Sequence, residues 1–174
     1  MAKQESVLSA VQKEEPKIIN LIEWFILKEN MTQKKVQKLA YYAQAWSLVL
    51  LEQDIVPKIK FQAWVHGPVN LSIRAILKKY GWKDIMVQKD FVTESKKEIE
   101  TRFSKDAIKV LKLVWNTYGD MTANELESLT HSEKPWREKR EGLGTFEASK
   151  KIISNKTMKS FYESIAVKDV LQSF

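Results

Sequence analysis

Apolar residues recur along most of this chain at spacings of three and four, and along one short stretch at a spacing of two. The densest helical pattern runs from Thr32 to Leu51. Val36, Leu39, Ala43, Trp46 and Leu50 form one stripe at the 3.6-residue period, and Tyr42, Ala45 and Val49 form a second beside it. A surface helix carries a single apolar stripe about 100° wide, so a helix apolar on more than one face belongs at the centre of a domain. Thr32 is suited to accept a backbone N–H at its start. Shorter amphipathic patterns flank it. Ile18, Leu21, Ile22, Phe25 and Ile26 follow Pro16, which fits a first helical turn and predicts a helix to Glu29. Ile73, Ile76, Leu77 and Tyr80 precede a stop at Gly81. Ser104 heads a helix holding Ile108, Leu111, Trp115 and Tyr118, ended by Gly119. Thr122 and Glu125 have the spacing of a capping box ahead of Leu126 and Leu129. Pro135 opens a short turn anchored by Trp136. Ser154 or Asn155 caps a last helix with Met158, Phe161, Tyr162 and Ile165.

The period of two covers Ile59, Phe61, Ala63 and Val65, which alternate with Lys58, Lys60, Gln62 and Trp64. That is a strand, and His66, Gly67 and Pro68 end it in a turn. Ile85, Val87 and Phe91 suggest a further strand, with Thr93–Glu98 as a hairpin tip and Ile99, Thr101 and Phe103 returning. The expected fold is mainly α: a single compact helical domain of about six helices around a central buried helix. A small antiparallel β element from residues 58–65 and 85–103 completes it. Residues 1–15 carry few large apolar side chains and read as a flexible N-terminal segment, leaving 16–174 as one domain.

Composition changes this picture little. The chain has 174 residues, 44% hydrophobic and 29% charged, enough apolar material for a sizeable core. It has no cysteine, hence no disulfide and no thiolate metal site, which is compatible with a cytoplasmic location. No apolar run is long enough for a membrane span, and the first fifteen residues do not resemble a signal peptide. Charge is more informative. Residues 31–80 hold eight bases against two acids, so +6 of the net +7 lies in this segment. A concentrated positive face suits an acidic protein or nucleic acid; a solvated lysine-rich surface gives the same count.

Candidate chemistry is sparse. His66 and His131 stand apart and belong to no metal spacing, and no P-loop, nucleophile elbow or dinucleotide fingerprint is present. These absences predict no catalytic set, no metal and no cofactor. A lone histidine beside a Gly-Pro turn usually fixes the turn by hydrogen bonding, and one at a helix C-terminus is favoured as a cation by the dipole. Trp46, Trp115 and Tyr118 stand at core spacing. Trp64 differs, because alternation places it with Lys60 and Gln62 on the polar side of its strand. Tryptophan is enriched among interface hot spots. The candidate partner surface is therefore Trp64, His66, Gly67 and Pro68, with Lys58, Lys60, Arg74 and Lys78 close in sequence.

Two blocks of this sequence resemble a known family. Val36–Trp46 (VQKLAYYAQAW) followed by Phe61–Val69 (FQAWVHGPV), and later Leu129, Thr130 and His131 with Pro135 and Trp136, are similar to the Panacea domain of SocA-like bacterial and phage antitoxins. That family's pattern is a Leu-Gln-Lys-Leu-Leu-Tyr-Tyr-Ala-Gln helix, an Ala-Trp-x-x-Gly-Pro-Val stretch and a Leu-Thr-His-x-x-x-Pro-Trp block. Ala40 replaces the second leucine, residues 52–57 replace a Gly-Lys-Pro turn, and Leu71 and Arg74 stand where proline and an aromatic are common. The absences above predict a cytoplasmic protein that is not an enzyme, and the resemblance implies one that neutralises a cognate toxin by direct binding. The +6 segment keeps a second expectation open: a nucleic-acid-binding regulator of its own operon, with operator DNA as partner.

Overall fold

The computed structural model describes residues 15–86 and 95–169. In chain order the elements are α1 (Ile18–Ile26), β1 (Met31–Thr32), α2 (Gln33–Leu50), β2 (Gln62–Trp64), β3 (Gly67–Val69), α3 (Leu71–Leu77), β4 (Asp84–Ile85), α4 (Lys96–Thr101), α5 (Lys105–Tyr118), α6 (Ala123–Ser132), α7 (Lys134–Arg140) and α8 (Asn155–Asp169). The protein is mainly helical, as the periodicity predicts, with eight α-helices among the described residues where about six are expected from the pattern.

Helix α2 is the hub. Thr32 caps it by accepting the Lys35 N–H at 3.3 Å. Every residue from Lys35 to Leu48 is buried, and α1, α3, α5, α6 and α8 all pack on it. A helix enclosed on all sides must satisfy its polar side chains inside the protein. It does so by holding the surrounding loops. Lys35 Nζ donates to the Gly119 carbonyl at 2.6 Å and pairs with Glu29. Gln37 donates to the Asn70 carbonyl at 3.0 Å and accepts the Asn70 N–H at 2.8 Å. Gln44 accepts the Ile55 N–H at 3.0 Å, and Ser47 donates to the Gln53 carbonyl at 2.8 Å. The predicted stripe is buried at Val36, Leu39, Ala43 and Trp46, but Leu50, the last residue of α2, is only half-buried.

An aromatic and carboxyl cluster joins α2 to α5, α7 and α8. Tyr42 stacks on Tyr118 with ring centroids 4.0 Å apart, and the Trp46 indole donates to the Tyr118 hydroxyl at 3.0 Å. Glu133, buried between α6 and α7, accepts the hydroxyls of Tyr162 at 2.5 Å and Tyr42 at 3.0 Å.

The β structure differs from expectation. β2 pairs with β3 in a two-residue hairpin, with Gln62 opposite Val69, Ala63 opposite Pro68 and Trp64 opposite Gly67. The turn is Val65–His66, and Gly67 and Pro68 belong to the returning strand. β4 pairs with β1, Met31 opposite Ile85, and not with residues 58–65. Residues 96–101 are helix, headed by a capping box in which Ser95 and Glu98 satisfy each other's backbone N–H. Val87, Phe91 and Thr93 lie outside the described residues. Smaller corrections concern the helix ends. Lys17 is the N-cap of α1, so Pro16 precedes the helix and does not lie in its first turn, and α1 stops at Ile26 and not at Glu29; Ile108 and Trp115 are half-buried flanks of α5; and Ile165 of α8 is exposed.

Candidate partner-binding site

The hairpin tip at Val65–His66 is held from beneath by α2, α6 and α7. Gly67 has a φ of +92°, and a Cβ there would come within 2.6 Å of Lys38 Cε and 2.9 Å of Thr130 Oγ1. Glycine is required twice over, by backbone conformation and by space. Pro68 fits for a different reason. Its partner Ala63 sends its N–H to the Lys151 carbonyl at 3.0 Å and receives Arg140 at its own carbonyl at 3.1 Å. The Ala63–Pro68 pair therefore makes no ladder bond, and a residue lacking an N–H costs nothing there. The Trp136 indole donates to the Trp64 carbonyl at 2.9 Å. Arg140 also gathers the carbonyls of Gly144, Thr145 and Glu147, fixing the loop after α7.

Two clefts flank this tip, and His66 lines both. The smaller, about 270 Å³, lies between α2, the hairpin, α3 and Trp82, with Lys34, Lys38, Trp64 and Arg74 in its wall. The larger, about 850 Å³, opens toward α7 and the following loop, where Phe146 is 84% exposed. Trp64 is half-buried. Its indole donates to Gln62 Oε1 at 2.8 Å, and the Arg74 guanidinium lies 5.1 Å from its ring centroid. Trp82 is 76% exposed.

The electrostatics centre on Glu127. It accepts from Lys34, and His66 Nδ1 lies 3.1 Å from its Oε1. Burial works to raise the Glu127 carboxyl, but the hydrogen bonds from Lys34 and His66 outweigh it and hold the group below the usual carboxylate value. Lys38 is fully buried, with Nζ 3.2 Å from the Pro68 carbonyl. Burial pushes its pKa down to about 7, and Lys34 adds to this while Glu127 opposes it. His131 stacks on Trp136 at 3.9 Å. Burial lowers its pKa, with Lys38 and Arg140 reinforcing the effect, so the expected dipole-favoured cation is disfavoured.

A family model described as antitoxin SocA-like, Panacea domain, matches residues 36–137. The chain belongs to the SocA-like Panacea antitoxin family. No curated protein and no solved structure matches it.

In this Panacea domain the two sequence blocks are two sides of one contact. Lys38 of the first and Thr130 and Trp136 of the second close on the hairpin, and Gln37 holds Asn70 just after it. Of the residues predicted for the site, the structure brings Trp64, His66 and Arg74 together in the smaller cleft. Gly67 and Pro68 are buried beneath it and shape it without presenting a surface. Lys58, Lys60 and Lys78 are exposed and line neither cleft. Sequence reasoning missed Lys38, Trp82 and Glu127. A lysine inside a helix expected to be central was the available signal for the first. Among the described residues, no helix is long and apolar enough to cross a membrane and no group of three or more His, Asp or Glu side chains is placed to hold a metal ion.

Proposed function

We propose that this Panacea protein neutralises a cognate toxin in the cytoplasm by binding it directly, with the hairpin tip and its two clefts as the docking surface. Family membership is the observation that carries the reading. The geometry supports it. The tip is preorganised by Gly67, Pro68 and three supporting helices, so a partner meets an edge that needs little ordering. Tryptophan and arginine side chains, the types enriched among binding hot spots, stand around it, and Phe146 adds an exposed aromatic.

Binding is favoured over catalysis here. The structure does place an acid against His66, but that acid is already engaged by Lys34, and the pair pins the tip to α6. The operator-DNA reading rests on the +6 segment, and three of its eight bases are used internally: Lys34 with Glu127, Lys35 with Glu29, and Lys38 at the Pro68 carbonyl. Co-expression with the gene adjacent to this one tests the proposal. The adjacent product alone should arrest growth, and this protein should restore it. A harmless adjacent product, or arrest that persists in the presence of this protein, contradicts the reading.

A further inference from the structure

Two lysines of α2 are buried, and they are treated differently. Lys35 has a carboxylate partner in Glu29 and a carbonyl in Gly119. Lys38 has one carbonyl, from Pro68, and no ion-pair partner among the described residues. The acid that acts on it, Glu127, is engaged by Lys34 and His66. A buried ammonium without a counter-charge is costly, and a methionine of similar shape in its place would not be. Packing alone does not explain a lysine here.

Its position supplies the explanation. Lys38 lies in the wall of the smaller cleft, and no acid lines that cleft. Trp64 and Trp82 provide apolar surface around it, and Arg74, exposed on α3, adds a positive charge, while Lys34 in the same wall is paired with Glu127. We infer that this cleft takes a carboxylate from the partner protein: an acidic side chain lies over the buried Lys38, and its apolar neighbours lie against Trp64 and Trp82. The inference rests on this face being the toxin-docking surface, and it names the chemistry of the segment that enters. An extended phosphate backbone calls for an open basic stripe. A cation at the wall of a cleft of about 270 Å³ suits a single carboxylate instead. Burial disfavours the Lys38 ammonium, and an incoming carboxylate supplies the counter-charge that favours it.

The test uses the whole protein and two short probes, acetyl-Leu-Glu-Leu-amide and its glutamine counterpart, with the indole N–H resonances of Trp64 and Trp82 as reporters. The glutamate peptide should shift both resonances saturably and bind at least about tenfold more tightly than the glutamine peptide. Lys38→Met should abolish that preference and melt no lower than the wild type. Arg74→Gln, on the exposed face, should keep the fold and reduce the preference to about a third. Equal binding of the two peptides, no saturable shift with either, saturation by inorganic phosphate without a glutamate preference, or a folded Lys38→Met protein that keeps the preference each overturns the inference. Should Lys38→Met fail to fold, the wild-type comparison and Arg74→Gln still decide. A protein that prefers glutamate yet leaves the adjacent gene's product toxic keeps the carboxylate site and loses the toxin reading. One that neutralises the toxin with a cleft indifferent to the peptides does the reverse.

Discussion

Replacing Glu133 by glutamine should make the protein more stable at alkaline pH and leave it nearly unchanged in mild acid. Burial pushes the Glu133 carboxyl up to about 7 in the folded chain, from 4.5, while the hydrogen bonds from Tyr162 and Tyr42 work in the opposite direction. Between those two values the folded state keeps a proton that the unfolded state has released. Stability from this group therefore falls as pH rises from 4.5 to 7, and the penalty is complete above 7. The gap between the two values corresponds to about 3 kcal/mol. Glutamine has the same shape, and because both hydroxyls converge on one oxygen, Glu133 Oε2, its carbonyl oxygen accepts both. Urea denaturation of both proteins at pH 8 should show the variant ahead by about 1–3 kcal/mol, and at pH 4.5 by about 0.5 kcal/mol or less. The titration of Lys38, which raises stability as pH climbs from 7 toward 10.5, is common to both proteins and cancels in the comparison. A variant less stable at pH 8, or a difference that does not change with pH, would refute the reasoning. It would show that the two tyrosine hydroxyls compensate the buried carboxylate in full.

Four further substitutions probe the hub and the hairpin. Gly67→Ala should cost about 2–3 kcal/mol in thermal unfolding, because a Cβ meets Lys38 and Thr130 at a positive φ; a neutral change would mean that the hairpin can shift. Leu39→Ala should cost about 2–5 kcal/mol, while Leu50→Ala, half-buried, should cost less than about 1.5 kcal/mol. Equal losses would contradict the placement of α2. Trp64→Ala should weaken toxin binding by about 2 kcal/mol and lower stability by less than about 1 kcal/mol, since its ring is half-buried and, among the described residues, stacked under Arg74 alone. A variant that unfolds, or that binds the toxin as well as the wild type, removes Trp64 from the interface.

The central helix was legible because its apolar residues fall on more than one face, and the caps at Thr32, Ser104 and Thr122 were legible because each offers a side-chain oxygen three residues ahead of a backbone N–H. Ser95 and Glu98 carried the same signal, but alternation at Ile99, Thr101 and Phe103 suggested a strand; the capping box decided the local structure. The hairpin was half legible. Alternation locates Trp64 on the outer side, yet local composition reads Gly67 and Pro68 as part of the turn itself. Pro68 sits in a strand because its partner Ala63 bonds outward to Lys151 and Arg140, a tertiary fact invisible in the local sequence. The site's charge balance was the least legible part. Counting bases in residues 31–80 treats Lys34, Lys35 and Lys38 as surface, whereas a helix buried all round must turn them inward. Their partners, Glu127, Glu29 and the Pro68 carbonyl, come from elsewhere in the chain.

Direct binding is the claim on which the function depends, and a calorimetric titration of the purified protein with the product of the adjacent gene tests it. The account predicts a saturable complex with a Kd below about 10⁻⁷ M, weakened by Trp64→Ala in the same proportion as growth rescue. Rescue of growth with no measurable complex between the two proteins would contradict it.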